Sequence, residues 1–224
     1  MPTTKLTLPA DLDMAEFLSV HAHDLRSPFN HIIGFGKMLL NTIGDEPLAD
    51  FQKEDLGTIY RSGLRAYLLV NGLIDAARLK RGEKSLSPAE VDIQRAFETA
   101  LAQWKKFNPT SGTEVEARFE AVSAGLRADE QVLPQVLFGF LAYVALFIEP
   151  GGKLTFTLRE EAECFLLGFT SHGRKAAHLS ELDLQLLGYV NRKFIELHGG
   201  EIRRAEENDE GALVHVSLPK QGQA

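Results

Sequence analysis

Two long amphipathic segments separated by a short turn constrain most strongly what this 224-residue chain can fold into. In residues 11–43 and 48–81, apolar side chains recur mainly at spacings of three and four, which is typical of a helix with one apolar face. The turn sequence GDEP at residues 44–47 joins them and predicts a helical hairpin. A lone hairpin cannot bury both apolar stripes, so we expect two copies to form a dimeric four-helix bundle.

The pattern changes after a polar, glycine-containing stretch at residues 81–85, where we predict a domain boundary. Beyond it, helical and alternating patterns follow one another, which predicts a two-layer α/β sandwich. The predicted helices are residues 91–106, 129–147 with Asp129 as N-cap, and 179–197, and the predicted strands are 113–122, 153–159, 164–169, 201–205 and 212–218. The predicted domains are therefore residues 11–82 and 85–220.

Composition limits the partners and the location of the chain. A net charge of −7 without a cluster of Lys and Arg argues against a nucleic-acid partner. The single cysteine, Cys164, excludes an internal disulfide and a multi-cysteine metal site, and it suits a reducing compartment. No apolar run reaches the roughly 18 residues of a membrane span, and the first residues lack a secretion signal pattern. We expect a cytoplasmic protein, with no sensor domain ahead of residue 11.

Residues 17–34 carry the most specific motif, FLSVHAHDLRSPFNHIIG. This segment resembles the H-box of two-component histidine kinases, F-x-x-x-x-S-H-E-L-R-T-P-L-N-x-I-x-G. The positions that match outright are Phe17, His23, Leu25, Arg26, Pro28, Asn30, Ile32 and Gly34. The resemblance implies that His23 is the residue that becomes phosphorylated.

The chemistry explains the residues around His23. A neutral imidazole is a good nucleophile toward phosphorus, so one ring nitrogen must be free while the other holds the proton. The carboxylate of Asp24 can accept that N–H and select the tautomer. The resemblance places Ser27 where a side chain can orient a water for dephosphorylation. Pro28 is expected to kink the helix just beyond the histidine.

His23 has two other interpretations. A metal site shared with His21 is disfavoured, because residues i and i+2 project about 200° apart on a helix and no Cys or acidic cluster completes the site. We therefore predict no metal. An ordinary surface histidine is the other alternative, and the length of the H-box match argues against it.

Residues 55–79 resemble the second bundle helix of the same family, with Ile59, Ser62, Leu73, Ile74 and Asp75 in place. The resemblance implies that the partner is the receiver domain of a response regulator. The implied docking surface lies below the histidine and comprises Phe35, Met38, Leu39, Tyr67, Val70 and Asn71.

The second half resembles the ATP-binding (GHKL-type) domain of these kinases. The matches are LPQVL at residues 133–137, ELHGGEI at 196–202 and LVHVSLP at 213–219. The nucleotide-binding positions differ, however. Gly139 and Tyr143 replace two asparagines, of which the second coordinates Mg²⁺ in the family. Phe169 stands at the position of the aspartate that binds adenine.

A third motif has also changed. The glycine-rich motif before the last helix is replaced by LDLQLLGY, with Leu187 and Gly188 at its end. A misaligned but working site is the alternative, yet shifts of one or two residues recover neither an aspartate nor a second glycine. We therefore predict a degenerate site without a cofactor.

These observations predict a histidine phosphotransferase or pseudokinase that relays a phosphoryl group between His23 and the aspartate of receiver domains. One alternative is an active histidine kinase with a divergent ATP site. The other is a non-enzymatic pseudokinase that pairs with a kinase or sequesters a response regulator. Gyrase-like and chaperone ATPases share the fold of the second half but lack the H-box.

Overall fold

A computed structural model describes residues 4–5, 11–14, 17, 24, 27–28, 31–32, 50–108, 111–120 and 126–220. The chain divides into two compact units. One is Leu12–Ala77, and the other combines Met1–Asp11 with Arg78–Ala224. Within the described residues, no helix is both long and apolar enough to cross a bilayer.

The helical unit is built around α1, Asp50–Lys80, which extends three residues into the second unit. Its buried residues Ala66, Leu69 and Ala76 recur at helical spacing, as the sequence pattern predicts. The described residues between positions 14 and 32 are also helical. Gly63 of α1 approaches this first segment, because a Cβ at that position would lie 3.6 Å from Cδ1 of Ile32. Two helical segments therefore pack together within the unit.

Among its described residues, the second unit contains a six-stranded sheet, a two-stranded sheet and three helices. Its strands are β1 Thr4–Lys5, β2 Pro88–Val91, β3 Glu114–Phe119, β4 Leu126–Asp129, β5 Lys153–Glu160, β6 Cys164–His172, β7 Glu201–Asn208 and β8 Gly211–Pro219. Its helices are α2 Ile93–Phe107, α3 Leu133–Ala145 and α4 Glu181–Leu197. The large sheet has the order β1-β7-β8-β6-β5-β3, with β3 and β5 parallel and the other pairs antiparallel, and β2 pairs with β4.

The helices cover one face of the large sheet. Along β5, the apolar side chains Leu154, Phe156 and Leu158 are fully buried at a period of two, as expected for a strand with one face toward a core. Phe97 of α2 stacks on Phe156, with ring centroids 4.4 Å apart. The central helix α3 is apolar almost throughout and contacts both flanking helices as well as the sheet. The predicted fold class, a helical hairpin followed by a two-layer α/β sandwich, is confirmed.

Asp129 does not act as the N-cap that the sequence predicts, because it ends β4 and α3 begins only at Leu133. Its carboxylate nevertheless organises the connecting turn. Oδ1 accepts hydrogen bonds from the backbone N–H groups of Gln131 (2.9 Å) and Val132 (3.0 Å), and Oδ2 accepts one from Ser87 (2.8 Å). The Asp129 carboxylate therefore caps the turn that precedes α3.

Candidate functional site

The residues predicted to carry the phosphoryl chemistry belong to the helical unit, and His23 itself lies outside the described residues. Asp24 and Ser27 are both helical, with Asp24 exposed and Ser27 partly buried. Side chains three apart on a helix are neighbours on its surface. Pro28 is buried one position further on. The carboxylate of Asp24 and the hydroxyl of Ser27 are therefore neighbouring groups on this helix.

The predicted docking surface is described only on α1. Phe35, Met38 and Leu39 lie outside the described residues, as does the side chain of Tyr67. Val70 is exposed, and the neighbouring Asn71 is partly buried.

Exposed apolar side chains form a stripe on α1. Leu56, Val70 and Ile74 expose 41%, 42% and 43% of their surface, respectively. At about 100° per residue, these three positions fall on one side of the helix. The helical unit therefore presents an accessible apolar stripe beside its buried face.

In the second unit, the position expected to bind adenine is part of an aromatic core. Phe169 is fully buried. Its ring stacks on that of Phe140, with centroids 5.0 Å apart and planes at 23°, and it lies 5.3 Å from the ring of Phe156. An adenine amine needs a hydrogen-bond acceptor, which a phenyl ring does not supply. This position now supports packing.

Tyr143, at the position where the resemblance predicts the metal-binding asparagine, is also buried, with 2% of its surface exposed. Its ring meets that of Phe147 edge-on, with centroids 5.7 Å apart. Burial, together with the nearby charge of Glu207, raises the pKa of Tyr143 to about 12. The phenol therefore stays neutral near pH 7, and a neutral phenol is a poor ligand for Mg²⁺.

Gly139, at the other position where the resemblance predicts an asparagine, lies against α4. A Cβ at Gly139 would clash with Oδ1 of Asn191, so the Asn191 side chain takes the space that a side chain at position 139 would need. Asn191 is 2% exposed, and its Nδ2 has no hydrogen-bond partner among the described residues. Sequence reasoning missed Asn191, although a lone asparagine on the apolar face of a predicted helix was a visible signal.

The connection between β6 and α4 is short and held by backbone hydrogen bonds. Gly173 N–H donates to the carbonyl of Glu210 (2.8 Å), and Ala176 N–H donates to the carbonyl of Phe147 (3.0 Å). The N–H of Glu149 in turn donates to the carbonyl of Arg174 (2.8 Å). These bonds tie the connection both to the turn between β7 and β8 and to the segment that follows α3.

The stretch with Leu187 and Gly188 lies within α4, inside the helix that the sequence predicts over residues 179–197. The backbone there takes part in the helix, so it cannot form a phosphate-cradling loop. The helix start is capped by Ser180, whose side chain accepts a hydrogen bond from the N–H of Asp183 (3.3 Å). Glu181 and Asp183 lie in the first turn, where their negative charges oppose a phosphate.

His198 has a structural position at the end of α4. Its Nδ1 lies 2.7 Å from the carbonyl oxygen of Phe194, and its Nε2 lies 3.3 Å from the backbone nitrogen of Asp129. Since a backbone N–H can only donate, Nε2 is the acceptor and Nδ1 carries the proton. Burial lowers the pKa of His198. This histidine therefore joins α4 to the end of β4 in its neutral form.

The described residues contain no group of three or more His, Cys, Asp or Glu side chains that could hold a metal ion. In this part of the chain, the lone cysteine Cys164 is buried beside Arg203 and Glu161.

Comparisons with known proteins agree with this architecture. Residues 13–82 match the family described as His Kinase A (phospho-acceptor) domain. A sensor-like histidine kinase of Rhizobium meliloti (strain 1021), R01002, is 23% identical over 221 residues, which cover 91% of this chain and 42% of the relative. The chain spans less than half the length of the first curated relatives that it matches.

Two solved structures show the same fold along nearly the whole chain. The histidine kinase ThkA, solved in complex with the response regulator protein TrrA, matches 93% of this chain and 62% of its own, with a TM-score of 0.64 and 17% identity. A bacterial phosphotransferase matches 94% of this chain and 100% of its own, with a TM-score of 0.51 and 16% identity. Residues 13–82 thus match a phospho-acceptor domain family, and along most of its length the chain is similar to the cores of two-component histidine kinases.

Proposed function

We propose that this chain is a cytoplasmic, homodimeric histidine phosphotransferase that exchanges a phosphoryl group between His23 and the aspartate of receiver domains. In the forward step, the free imidazole nitrogen of His23 attacks the phosphorus of an aspartyl phosphate. The N–P bond forms as the P–O bond to the carboxylate breaks, and the carboxylate leaves as an anion. The reverse step returns the phosphoryl group to an aspartate, so no nucleotide is needed.

Phe169 is the observation that carries this proposal. A kinase needs an acceptor for the adenine amine and an open pocket beside it, whereas here a fully buried phenyl ring packs against the rings of Phe140 and Phe156. Opening that position would expose large apolar surface at about 25 cal/mol per Å². The neutral, buried Tyr143 supports the same conclusion for the metal. The H-box, by contrast, keeps its histidine, carboxylate and hydroxyl.

The proposed partner is supported by the family of the helical unit and by the ThkA complex, whose partner is a response regulator protein. The proposed docking surface combines Phe35, Met38 and Leu39 with Tyr67, Val70 and Asn71. Val70 is exposed and available for such a contact.

Transfer from a phosphorylated receiver tests the site. The purified chain should acquire a label that is labile in acid and stable in base, as a phosphoramidate is, and His23→Ala should remove it. Asp24→Asn should slow labelling without abolishing it, since an amide orients the imidazole less firmly than a carboxylate does. A label that survives His23→Ala, or a panel of phosphorylated receivers that transfers nothing, would favour the binding-partner alternative.

Nucleotide binding separates the proposal from an active kinase. Calorimetry with Mg²⁺ and ATP should show no binding at millimolar concentration. A dissociation constant below about 100 μM, roughly 5.5 kcal/mol of binding free energy, would show that the divergent site still works.

A further inference from the structure

One row of side chains crosses five strands on the face of the large sheet that α2, α3 and α4 do not cover. Residues that lie opposite each other in paired strands point to the same face, so the strand register defines the row. Leu158, next to Thr157 on β5, is fully buried in the core, which puts Thr157 on the other face. In the strand order β3-β5-β6-β8-β7, the row comprises Arg118, Thr157, Gly168, His215 and Arg204.

The backbone does not require a glycine at the centre of this row. Gly168 is not among the glycines with positive φ, and its strand pairs with both neighbours in continuous register. A glycine inside a strand weakens the sheet, and it often marks a place where a ligand or another group approaches closely. The reason for a glycine at position 168 therefore lies in the space above it.

Two polar groups converge on that space from the neighbouring strands. A Cβ at Gly168 would clash with Oγ1 of Thr157 and would lie 3.3 Å from Nε2 of His215. Both side chains are partly exposed, so a ligand can approach them from solvent. Gly168, the Thr157 hydroxyl and the His215 imidazole therefore form a polar notch in the middle of the sheet face.

The charge around the polar notch is positive on balance. Burial lowers the pKa of His215, and Arg204 and then Arg159 lower it further, whereas Glu206 raises it by less. The arginines also have carboxylate partners, since Arg204 donates to Glu206 (2.6 Å) and Arg159 donates to Glu120 (3.0 Å). A guanidinium group carries five N–H donors, so these bonds leave other donors of both arginines for a ligand.

We infer that the polar notch binds a small tetrahedral oxyanion, either free phosphate or the phosphate group of a small monoester. The hydroxyl of Thr157 donates one hydrogen bond to the oxyanion, and Nε2 of His215 donates a second when it carries a proton. Arg204 supplies positive charge at the end of the row, and charge-assisted hydrogen bonds of this kind are the strong ones. Phe169, the next residue of β6, points to the other face of the sheet. The notch is therefore separate from the expected nucleotide contacts and does not depend on phosphoryl transfer at His23.

A sulfate titration of the full chain, followed by NMR of the His215 ring, tests the notch. Sulfate has the tetrahedral shape of phosphate and keeps two negative charges throughout the range in which histidine titrates. We expect a saturable change in the ring signals at millimolar sulfate and a rise in the pKa of His215, because the anion stabilises the imidazolium. Chloride at equal ionic strength should produce neither effect. A response to chloride as large as that to sulfate would indicate general screening and would overturn the inference.

Two matched variants locate the binding. Thr157→Val removes the hydroxyl but keeps the β-branched shape, and it should weaken sulfate binding about tenfold. Thr170→Val makes the same change one row away, on the strand of Gly168, and should leave the affinity unchanged.

Parallel titrations with inorganic phosphate and phenyl phosphate identify the source of the oxyanion. Tighter binding of phenyl phosphate indicates a phosphorylated small molecule, and tighter binding of inorganic phosphate indicates free phosphate. The inference is wrong if none of the three anions gives a saturable response. It is also wrong if Thr157→Val binds as tightly as the wild type, or if Thr170→Val loses as much affinity as Thr157→Val.

Discussion

At the scale of single residues, the contact between Gly139 and Asn191 decides how closely α3 and α4 approach. Glycine inside a helix normally costs about 1 kcal/mol relative to alanine. Here, however, the added methyl would clash with the Asn191 amide, which is itself buried. Overpacking of a core costs about 1–3 kcal/mol. The clash should therefore outweigh the gain in helix propensity.

We predict that Gly139→Ala lowers the free energy of unfolding by up to about 2 kcal/mol. Asn191→Ala removes an amide whose Nδ2 has no partner among the described residues, so its own effect should be smaller. The double variant should be more stable than Gly139→Ala alone. Urea unfolding of all four proteins measures this coupling, and strictly additive effects would show that the two side chains do not compete for the same space.

The buried His198 predicts a pH dependence of stability. Burial lowers the pKa of His198 below the ordinary value of 6.5. At a pH between the folded and the unfolded pKa, the unfolded chain therefore binds a proton at this residue and the folded chain does not. The stability that neutral His198 contributes is complete above about pH 6.5 and is lost as the pH falls toward its folded pKa. His215, whose pKa is lowered by burial and then by Arg204 and Arg159, acts in the same direction.

The melting temperature should therefore fall between pH 7 and pH 5. His198→Gln should make this fall shallower without removing it, because His215 still titrates. His172→Gln, at an exposed position, is the matched control. Equal slopes for all three proteins would mean that His198 is not held neutral.

At the scale of elements, the turn before α3 depends on one carboxylate. Asp129 accepts hydrogen bonds from three backbone N–H groups, one of which belongs to Ser87 in the connection that leads into β2. Burial by itself would raise the pKa of Asp129, but the bonds from Ser87, Val132 and Gln131 outweigh it, and the pKa is lowered. The carboxylate is therefore held in its charged form.

Asp129→Ala should destabilise the second unit by about 2–3 kcal/mol, since it leaves backbone donors without their acceptor. Glu130→Ala changes the next residue of the same turn, which is exposed, and should have little effect. Denaturant unfolding compares the two. Similar losses for both variants would indicate that the turn is set by backbone geometry and not by the Asp129 side chain.

The elements predicted from the sequence are those with long periodic patterns. The 31-residue α1 follows from helical spacing, and α3 follows from a long run that is apolar almost throughout. β1 has two residues and β2 and β4 have four each, which is too short for an alternating pattern to be recognised. Asp129 has the right residue type for a cap, but it sits a few residues early because an irregular turn lies between β4 and α3.

The candidate site was also only partly predictable. The replacements at Tyr143 and Phe169 are visible in the sequence, since each changes a polar residue of a motif into an aromatic one. Their burial, the stacking of Phe169 on Phe140 and the place of Asn191 beside Gly139 depend on contacts between elements far apart in sequence. Periodicity carries no information about such contacts.

At the scale of the whole molecule, the exposed stripe of Leu56, Val70 and Ile74 on α1 predicts that two chains pair. Large apolar side chains on one side of a long helix are expected to be covered by a partner.

Light scattering should give the mass of a dimer at micromolar concentration. Leu56→Glu/Ile74→Glu should shift it to a monomer, whereas Arg65→Glu, an exposed position on the opposite side of α1, should not. A monomeric wild-type chain would argue against the four-helix bundle.

The source of the phosphoryl group is the central claim, and labelling from two donors tests it most directly. The purified chain is incubated in parallel with radiolabelled ATP and Mg²⁺ and with a labelled, phosphorylated receiver domain free of nucleotide. We expect label on His23 from the receiver alone and none from ATP. Label on His23 from ATP, with none from any receiver tested, would contradict a phosphotransferase and identify an active kinase whose nucleotide site has changed.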